Sequence, residues 1–598
     1  MRAGKIAATL VFLMTVVGVA LSQSANLIAN VPGRKTTSLN GPWHAIVDPY
    51  ETGLSERYYE NAQPKDKSDR IEYDFERSPT LNVPGDWNTQ RESLFFYEGP
   101  LWYERSFDYQ KREHTRVFLY FGAANYVTRA YLNGKKLGEH EGGFTPFDFE
   151  VTNGLRDGGN FVVVEVSNTR RPDAVPAMRT DWWNYGGLTR DVMLVEVPEV
   201  FVQDYFIQLA PGSENEIAGW VQVSGSSRPE AVSLEIAGTD IKKQVTTDAR
   251  GRAEFHFPAK LQLWTPESPK LYDVAIRAGE DTVRDSIGFR SVRIQGAQIL
   301  LNGKPIFLRG ISLHEESPKR GGRATNAEDA QTLLDYAKEL GCNFIRLAHY
   351  PHNEYETRLA DRMGLLVWSE IPVYWDIDWK NPATLANAQA QLRDMIARDR
   401  NRASVILWSM SNETPIDPAR TAFIQNLADS TRQMDPTRLI TSALNHTEKA
   451  GPNQEILNDP LGQSLDVLGL NEYIGWYVRR PEDADVMQWT TPYQKPIIIS
   501  EFGADAPAGR HGDPQTRWSE EYQANLFVHQ LDMVKRIPNF VGLSPWVLVD
   551  FHSPRRPIPG IQDYYNRKGL ISNHGERKQA FYVLQKFYKE MANAPPVH

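Results

Sequence analysis

The sequence contains almost no cysteine and no apolar run long enough to span a membrane. Cys342 is the single cysteine among 598 residues, which excludes an intramolecular disulfide and a metal site built from cysteines. No run of Lys and Arg is present, and 66 basic against 75 acidic residues give a net charge of −9. A nucleic-acid-binding protein would need a basic stripe, so no nucleic-acid partner is expected. No Gly-x-Gly-x-x-Gly loop follows a predicted strand, which argues against a nucleotide cofactor.

The first 22 residues have the pattern of an export signal. Arg2 and Lys5 precede mostly apolar residues from 6 to 21, fewer than the ~20 that a bilayer span needs. Small residues near Ser22 fit a cleavage site. We predict a signal peptide over residues 1–22, an exported chain that is periplasmic or secreted, and no membrane span in the mature chain. A short uncleaved anchor is the alternative.

The remaining sequence divides into three parts by its strand and helix pattern. Residues 30–199 and 200–294 contain short alternating runs between Asn-Gly and Gly-Gly turns, which is typical of all-β domains. Pro198 favours a boundary near residue 200, although one continuous β domain is the alternative. The second part has the length and strand pattern of a small sandwich. Residues 295–598 alternate strands with helices.

Eight apolar runs in residues 295–598 predict the strands of a (β/α)8 barrel. Helical periodicity lies at 327–340 and 521–535, and a final amphipathic segment lies at 576–591. A doubly wound open sheet would also alternate in this way but is usually shorter. The predicted strands are 306–313, 342–348, 365–370, 405–411, 439–443, 465–470, 496–500 and 541–549.

Polar and aromatic residues follow these strands, at the end of a barrel where active sites lie. Amide and carboxylate groups bind sugar hydroxyls, and aromatic faces stack on the apolar side of a sugar ring. A carbohydrate substrate is therefore predicted. The predicted substrate-binding residues at this end are His349, Asn412, Asn471, Tyr473, Tyr477 and Trp546.

Glu413 and Glu501 are candidates for a catalytic pair. They lie 88 residues apart, close to three β/α units, which places them on strands four and seven of the barrel. Hydrolysis of a glycosidic bond needs one protonated and one ionised carboxyl group. For a single glutamate at a strand end, a structural ion pair with an arginine is the simpler explanation. The second glutamate, Asn412 and the aromatic residues favour catalysis.

Several motifs resemble glycoside hydrolase family 2. Segment 408–413 (Trp-Ser-Met-Ser-Asn-Glu) resembles its acid/base signature, and 499–503 (Ile-Ser-Glu-Phe-Gly) resembles its nucleophile segment. Segments 302–315 and 345–351 are similar to the start of its barrel, and 181–187 (Asp-Trp-Trp-Asn-Tyr-Gly-Gly) is similar to its β-domain signature. The resemblance runs through nearly the whole mature chain in order.

This resemblance implies a multidomain β plus α/β protein. Its parts would be an N-terminal jelly-roll-like sugar-binding domain, an immunoglobulin-like β-sandwich and a C-terminal TIM barrel. It also implies a retaining mechanism with Glu413 as the acid/base, Glu501 as the nucleophile and Asn412 bound to the 2-hydroxyl of the sugar. Asp181 either reaches into the barrel mouth or only supports a turn.

Two further segments are similar to those of β-glucuronidases, namely 471–477 and 566–569 (Asn-Arg-Lys-Gly). The second fits the Asn-x-Lys motif that holds the uronate carboxylate there, which implies this role for Asn566 and Lys568. Residues two apart in an extended stretch project to the same side, and an amide beside an ammonium forms a charge-assisted carboxylate site. The alternative for Lys568 is a solvated surface lysine. Gln562 stands where well-known β-glucuronidases have an arginine.

The prediction is an exported, exo-acting retaining β-glycosidase, with a β-glucuronidase favoured. A β-galactosidase and a catalytically silent carbohydrate-binding protein are the alternatives. The short segment 371–381 predicts an open mouth suited to oligosaccharide ends. His314-Glu315-Glu316 lacks a second histidine four residues on, so no metal or other cofactor is expected. A homo-oligomer is left open.

Overall fold

The computed structural model describes residues 27–69 and 73–593. The predicted export signal over residues 1–22 lies outside them. Within this part of the chain, every helix is too short or too polar to cross a membrane. The described residues form two β domains followed by a closed barrel.

The first domain consists of two antiparallel sheets that share one apolar core. The core lies between the sheets because alternate residues of each strand are apolar and point inward. The four-stranded sheet contains, in spatial order, Lys35–Ser38, Val192–Pro198, Thr115–Phe121 and Phe147–Glu150. The six-stranded sheet contains Thr80–Val83, Gly41–Val47, Pro100–Tyr109, Gly158–Ser167, Val127–Leu132 and Lys135–Glu141.

The second domain is an immunoglobulin-like sandwich with its own core. Alternation along Asp281–Ile287 is complete, with every second residue buried. One sheet contains Phe201–Leu209, Glu216–Ser224 and Arg252–Pro258. The other sheet contains Lys242–Thr246, Ala231–Ile236, Tyr272–Ala278 and Asp281–Ile287.

Eight parallel strands then close into a barrel, as predicted. The ring closes where the last strand pairs with the first, with Gly542 opposite Leu308. Strands such as Ile497–Glu501 are buried along their whole length, because side chains fill the barrel interior and helices cover its outside. The strands are β1 (Leu308–Leu313), β2 (Phe344–Leu347), β3 (Leu366–Glu370), β4 (Val405–Asn412), β5 (Leu439–Leu444), β6 (Val467–Asn471), β7 (Ile497–Glu501) and β8 (Phe540–Leu543).

Six α-helices surround the barrel in the described part of residues 295–598, and most begin at a side-chain cap. Asn326, for example, accepts a hydrogen bond from Asp329 N, and Gly341 ends the same helix with φ of 95°. The connections after β5 and β6 contain short 3-10 helices instead of α-helices. The helices are α1 (Ala327–Leu340), α2 (Glu354–Met363), α3 (Pro382–Asp399), α4 (Pro418–Met434), α5 (Glu520–Val534) and α6 (Gln579–Asn593).

The last predicted strand, 541–549, was too long. Strand β8 ends at Leu543, shortly before Pro545, which has no N–H to extend the ladder. Trp546 therefore lies in the loop after the strand, where its ring stacks on His349 with 4.8 Å between the ring centres. The early strand end thus places an aromatic face inside the barrel mouth.

Candidate active site

The two candidate catalytic carboxylates lie at the carboxyl end of the barrel. Glu501 is the last residue of β7 and is 4% exposed, whereas Glu413 directly follows β4 and is half-buried. The backbone φ of Glu413 is 51°, in the left-handed region that residues other than glycine rarely adopt. Such strain persists where surrounding contacts enforce it, and it is concentrated at functional sites.

Arg346 on β2 is fully buried and fixes Glu501. Its Nη1 donates a hydrogen bond of 2.7 Å to Glu501 Oε1. Its Nη2 donates to Asn412 Oδ1 at 2.7 Å and to Glu370 Oε1 at 3.0 Å. The structural ion pair considered from the sequence is therefore present at Glu501. It is compatible with catalysis, because a cationic donor favours the ionised carboxylate that a nucleophile requires.

Asn471 and Tyr473 connect the two carboxylates. Asn471 Nδ2 donates to Glu413 Oε1 at 3.1 Å and to Asn412 Oδ1 at 3.2 Å. The Tyr473 hydroxyl donates to Glu501 Oε2 at 2.8 Å. Burial raises the pKa of Tyr473 well above its usual value, so this hydroxyl keeps its proton. Both glutamates thus belong to one hydrogen-bonded network.

The protonation of Glu501 departs from that of a free carboxyl group. Burial raises the pKa of Glu501 to about 8, the Arg346 charge opposes this rise, and the Glu413 charge adds to it. Near neutral pH Glu501 therefore holds a proton, which it has to give up before it can attack as an ionised nucleophile.

Aromatic rings surround Glu413 and Glu501. Two of these rings, Trp182 and Tyr374, were not predicted as site residues from the sequence. His349 stacks on Trp546, and Trp182 packs edge-on against Tyr374 at 4.8 Å between ring centres. Burial lowers the pKa of His349 to about 4, and its Nδ1 lies 2.8 Å from Glu370 Oε1. The ring is therefore neutral near pH 7. Such rings form a flat apolar surface of the kind on which sugars stack.

Asn566 and Lys568 lie buried beside Asp181, which the first β domain contributes. Asn566 Nδ2 donates to Asp181 Oδ2 at 3.0 Å, and Ser553 Oγ donates to Asp181 Oδ1 at 2.7 Å. Lys568 is 0% exposed, with Nζ 2.5 Å from Asp505 Oδ2. The alternative of a solvated surface lysine was therefore wrong, and Asp181 does reach the barrel mouth.

Arg556 joins this cluster and was not found from the sequence. Its Nη2 donates to Asp181 Oδ2 at 2.8 Å and to the Tyr477 hydroxyl at 3.0 Å. The same hydroxyl accepts a hydrogen bond of 3.0 Å from Lys568 Nζ. Nothing local in the sequence marks Arg556, because Asp181 lies 375 residues away along the chain. The cluster thus contains an arginine, Arg556, even though Gln562 occupies the position at which an arginine was expected from the sequence.

The cluster has donors left for a ligand. Burial alone would raise the pKa of Asp505, but the charges of Lys568 and Arg556 outweigh it and lower the pKa, so Asp505 is ionised. Arg556 Nε is buried without a hydrogen-bond partner. Lys568 Nζ uses two of its three N–H groups on Asp505 and Tyr477. A carboxylate is the natural acceptor for the remaining N–H groups.

The histidines near the mouth are bound within the fold. His314 Nδ1 lies 3.1 Å from the Tyr350 hydroxyl, and His352 Nδ1 lies 2.8 Å from Glu356 Oε2. In residues 27–69 and 73–593, no group of three or more His, Cys, Asp or Glu has the arrangement of a metal site. Cys342 is buried, and burial raises the pKa of its thiol.

Comparison with known proteins gives a consistent family assignment. Residues 292–593 match the family profile described as the TIM barrel domain of glycosyl hydrolases family 2. Residues 36–198 match the sugar-binding domain of the same family, and residues 200–290 match the profile described as glycosyl hydrolases family 2. The barrel match alone spans just over half of the chain.

Curated relatives include β-glucuronidases from bacteria and mammals. That of Paenibacillus borealis is 28% identical, with 94% of this chain and 98% of the relative covered. That of Felis catus is 29% identical, with 94% and 92% covered. A solved β-glucuronidase from Ruminococcus gnavus in complex with D-glucuronic acid is 26% identical, with a TM-score of 0.81 and with 93% of this chain and 98% of that chain covered. The three profile matches in this order, together with the barrel geometry, show that the chain belongs to glycoside hydrolase family 2.

Proposed function

We propose that the chain is an exo-acting, retaining β-glucuronidase. The observation that carries the sugar assignment is the cluster of the buried Lys568 and Asn566 with the partly exposed Arg556, beside the catalytic carboxylates. Tyr473 and Tyr477 connect the two regions, since one binds Glu501 and the other binds Lys568. The relatives described above are β-glucuronidases, which supports the same assignment here.

The reaction proposed here is the retaining mechanism of the family, with one role for each carboxyl group. Glu413 donates its proton to the glycosidic oxygen while the ionised Glu501 attacks the anomeric carbon, so the bond to the leaving group breaks and a glycosyl–enzyme ester forms. Water then attacks the anomeric carbon, and Glu413 takes its proton as the ester bond to Glu501 breaks. Two inversions give a product with retained configuration. Arg346 and Tyr473 hold the Glu501 oxygens throughout.

A uronate explains the cluster better than a neutral sugar. A carboxylate at C5 must lose water to enter a buried site, which costs several kcal/mol unless charged donors replace the water. Lys568 and Arg556 supply such donors, whereas a galactoside has no charge to meet them. The presence of both Glu413 and Glu501 in one network also argues against a catalytically silent binding protein.

The exo mode is supported by the way in which the first β domain covers one side of the mouth. Asp181 binds Ser553, Arg556 and Asn566, all in the loop after β8. Trp182 packs against His349 and Tyr374. A chain end fits such a closed side, and the shortness of segment 371–381 supports a mouth that stays open for the leaving group.

Export is part of this proposal. The charged start and the apolar residues 6–21 support a periplasmic or secreted enzyme. Expression of the full chain followed by mass measurement of the exported product tests it. The expected mature protein begins near residue 23, and a product that keeps residues 1–22 contradicts cleavage.

A panel of 4-nitrophenyl glycosides tests the sugar assignment. The β-glucuronide, β-galacturonide, β-galactoside and β-glucoside differ only in their sugar, so the ratios of kcat/KM report on the sugar site. We expect the β-glucuronide to exceed both neutral sugars by at least ~30-fold, the lower limit for a buried charged contact. A preference for the β-galactoside would contradict the proposal.

A further inference from the structure

Trp375 contacts the proposed acid/base on the leaving-group side. Its indole Nε1 donates a hydrogen bond of 2.9 Å to Glu413 Oε2, and the ring is half-buried. Its backbone φ of 54° is left-handed, as at Glu413 itself. Since the proton of Glu413 must reach the oxygen of the leaving group, the exposed part of the Trp375 ring borders the place where the leaving sugar begins.

Arg555 lies over this ring. The carbon of its guanidinium is 4.4 Å from the centre of the Trp375 ring, and the residue is exposed. In the part of the chain that the structure describes, this guanidinium forms no ion pair and no hydrogen bond. Stacking on an aromatic face restrains a guanidinium while its N–H groups stay free in their plane. A cation with unused donors therefore stands beside the acid/base.

The position of Arg555 is fixed by its neighbours. Ser553 Oγ and Arg556 Nη2 both donate to the Asp181 carboxylate, at 2.7 and 2.8 Å. Arg555 N lies 3.3 Å from Ser553 Oγ, and Arg556 N donates to Ser553 O at 3.3 Å. The two consecutive arginines of this turn thus contact different parts of the site. Arg556 belongs to the cluster at Lys568, whereas Arg555 stacks on Trp375.

From this placement we infer that Arg555 and Trp375 form a binding site for an anionic leaving sugar. The ligand is an oxyanion group, either a carboxylate or a sulfate ester, on the sugar directly after the scissile bond. This inference rests on the proposed function and narrows its substrate class to acidic oligosaccharides. Because the chain carries a net charge of −9, an acidic substrate needs local cations of this kind to approach the mouth.

Three matched disaccharides test the inference. Each has β-linked glucuronate attached to the methyl glycoside of galactose, galactose 6-sulfate or galacturonate, so that C6 of the second sugar is neutral, sulfated or a carboxylate. We expect the wild type to have a kcat/KM ~5- to 20-fold higher for at least one anionic disaccharide than for the neutral one, which lies between the values for an exposed ion pair and for a hydrogen bond to a charged group. The preferred disaccharide then shows whether the site binds a carboxylate or a sulfate ester. High salt should reduce the preference.

Arg555→Gln should abolish this preference by lowering kcat/KM for the anionic disaccharide more than for the neutral one. Arg555→Lys keeps the charge and should keep part of the preference. Arg228→Gln is the matched control, since Arg228 is an exposed arginine of the second β domain and should leave the preference unchanged.

The outcomes separate the two proposals. If the wild type cleaves 4-nitrophenyl β-D-glucuronide but treats the three disaccharides alike at low and high salt, the inference is wrong and the proposed function stands. If Arg555→Gln lowers kcat/KM equally for all three, Arg555 only supports Trp375 and the inference is again wrong. If the wild type does not cleave 4-nitrophenyl β-D-glucuronide, the proposed function itself fails, and this inference fails with it.

Discussion

Lys568 Nζ lies 2.5 Å from Asp505 Oδ2, and both side chains are almost fully buried. A buried ion pair is a poor source of stability, because the cost of removing two charges from water offsets most of their attraction. A binding role explains it better. In the proposed function, Asp505 orients the ammonium group, which keeps one N–H for the uronate carboxylate next to Arg556 and Asn566.

Lys568→Ala should change sugar specificity. Loss of one partner of a buried charged contact typically costs ~2–5 kcal/mol, so kcat/KM for glucuronides should fall by ~30- to 5,000-fold. Weak activity on glucosides or galactosides should change far less, since a neutral hydroxymethyl group has no charge to lose. The measurement is the ratio of the two efficiencies in wild type and variant.

Lys578→Ala is a matched control for Lys568→Ala. Lys578 is equally buried and binds Asp550 at 2.7 Å, but no catalytic contact involves it. Its replacement should lower the melting temperature and affect all substrates alike. If Lys568→Ala also lowers glucuronide and galactoside cleavage by equal factors, the uronate assignment is wrong.

Glu501→Ala and Glu413→Ala should each reduce turnover by several orders of magnitude. With azide, the two variants should give glycosyl azides of opposite anomeric configuration. In Glu501→Ala, azide replaces the nucleophile on the same face and should give an α-glycosyl azide. In Glu413→Ala, azide attacks the glycosyl–enzyme from the other face and should give the β-azide. NMR of the two products checks this assignment, and exchanged configurations would reverse the two roles.

Glu472 makes the stability of the folded chain depend on pH. Burial raises its pKa to about 8, although the hydrogen bonds that it accepts from Ile474 N and Gln530 Nε2 oppose this rise. An unfolded glutamate titrates near 4.3, so between about pH 4.5 and pH 8 the folded state binds one more proton than the unfolded state. This contribution to stability is therefore present at low pH and is lost as the pH rises through 8.

Glu472→Gln removes the titrating carboxyl group and replaces it with an amide of nearly the same shape. We expect its melting temperature to rise relative to wild type by ~1–2 °C at pH 8.5 and to show no such gain at pH 5. Differential scanning calorimetry at the two pH values checks this. An equal change at both would show that the Glu472 carboxyl does not bind a proton on folding.

The sequence predicted local features better than distant contacts. The eight strands and the helix at Ala327–Leu340 follow from hydrophobic periodicity over 5 to 15 residues, and the structure confirms them. Glu413 and Glu501 could be placed on strands four and seven because the β/α unit has a regular length.

Other site residues could not be found in this way. Arg556 becomes part of the site only through Asp181, which comes from a different domain. Trp375 contacts Glu413 from a left-handed backbone conformation that no sequence pattern marks. The position of Trp546 depends on where β8 ends, and the apolar run 541–549 gives no indication that the strand ends at Leu543.

Trapping of the covalent intermediate tests the central claim most directly. In 2-deoxy-2-fluoro-β-D-glucuronyl fluoride, the fluorine at C2 slows both steps of a retaining β-glucuronidase by destabilising their cationic transition states. The anomeric fluoride is a good leaving group and speeds only the first step, so the covalent intermediate accumulates. We expect one label per chain, located by peptide mass spectrometry on Glu501, and no labelling by the galactosyl analogue under the same conditions. A label on Glu370, Glu413 or Glu472, or labelling by the galactosyl analogue alone, would contradict the account.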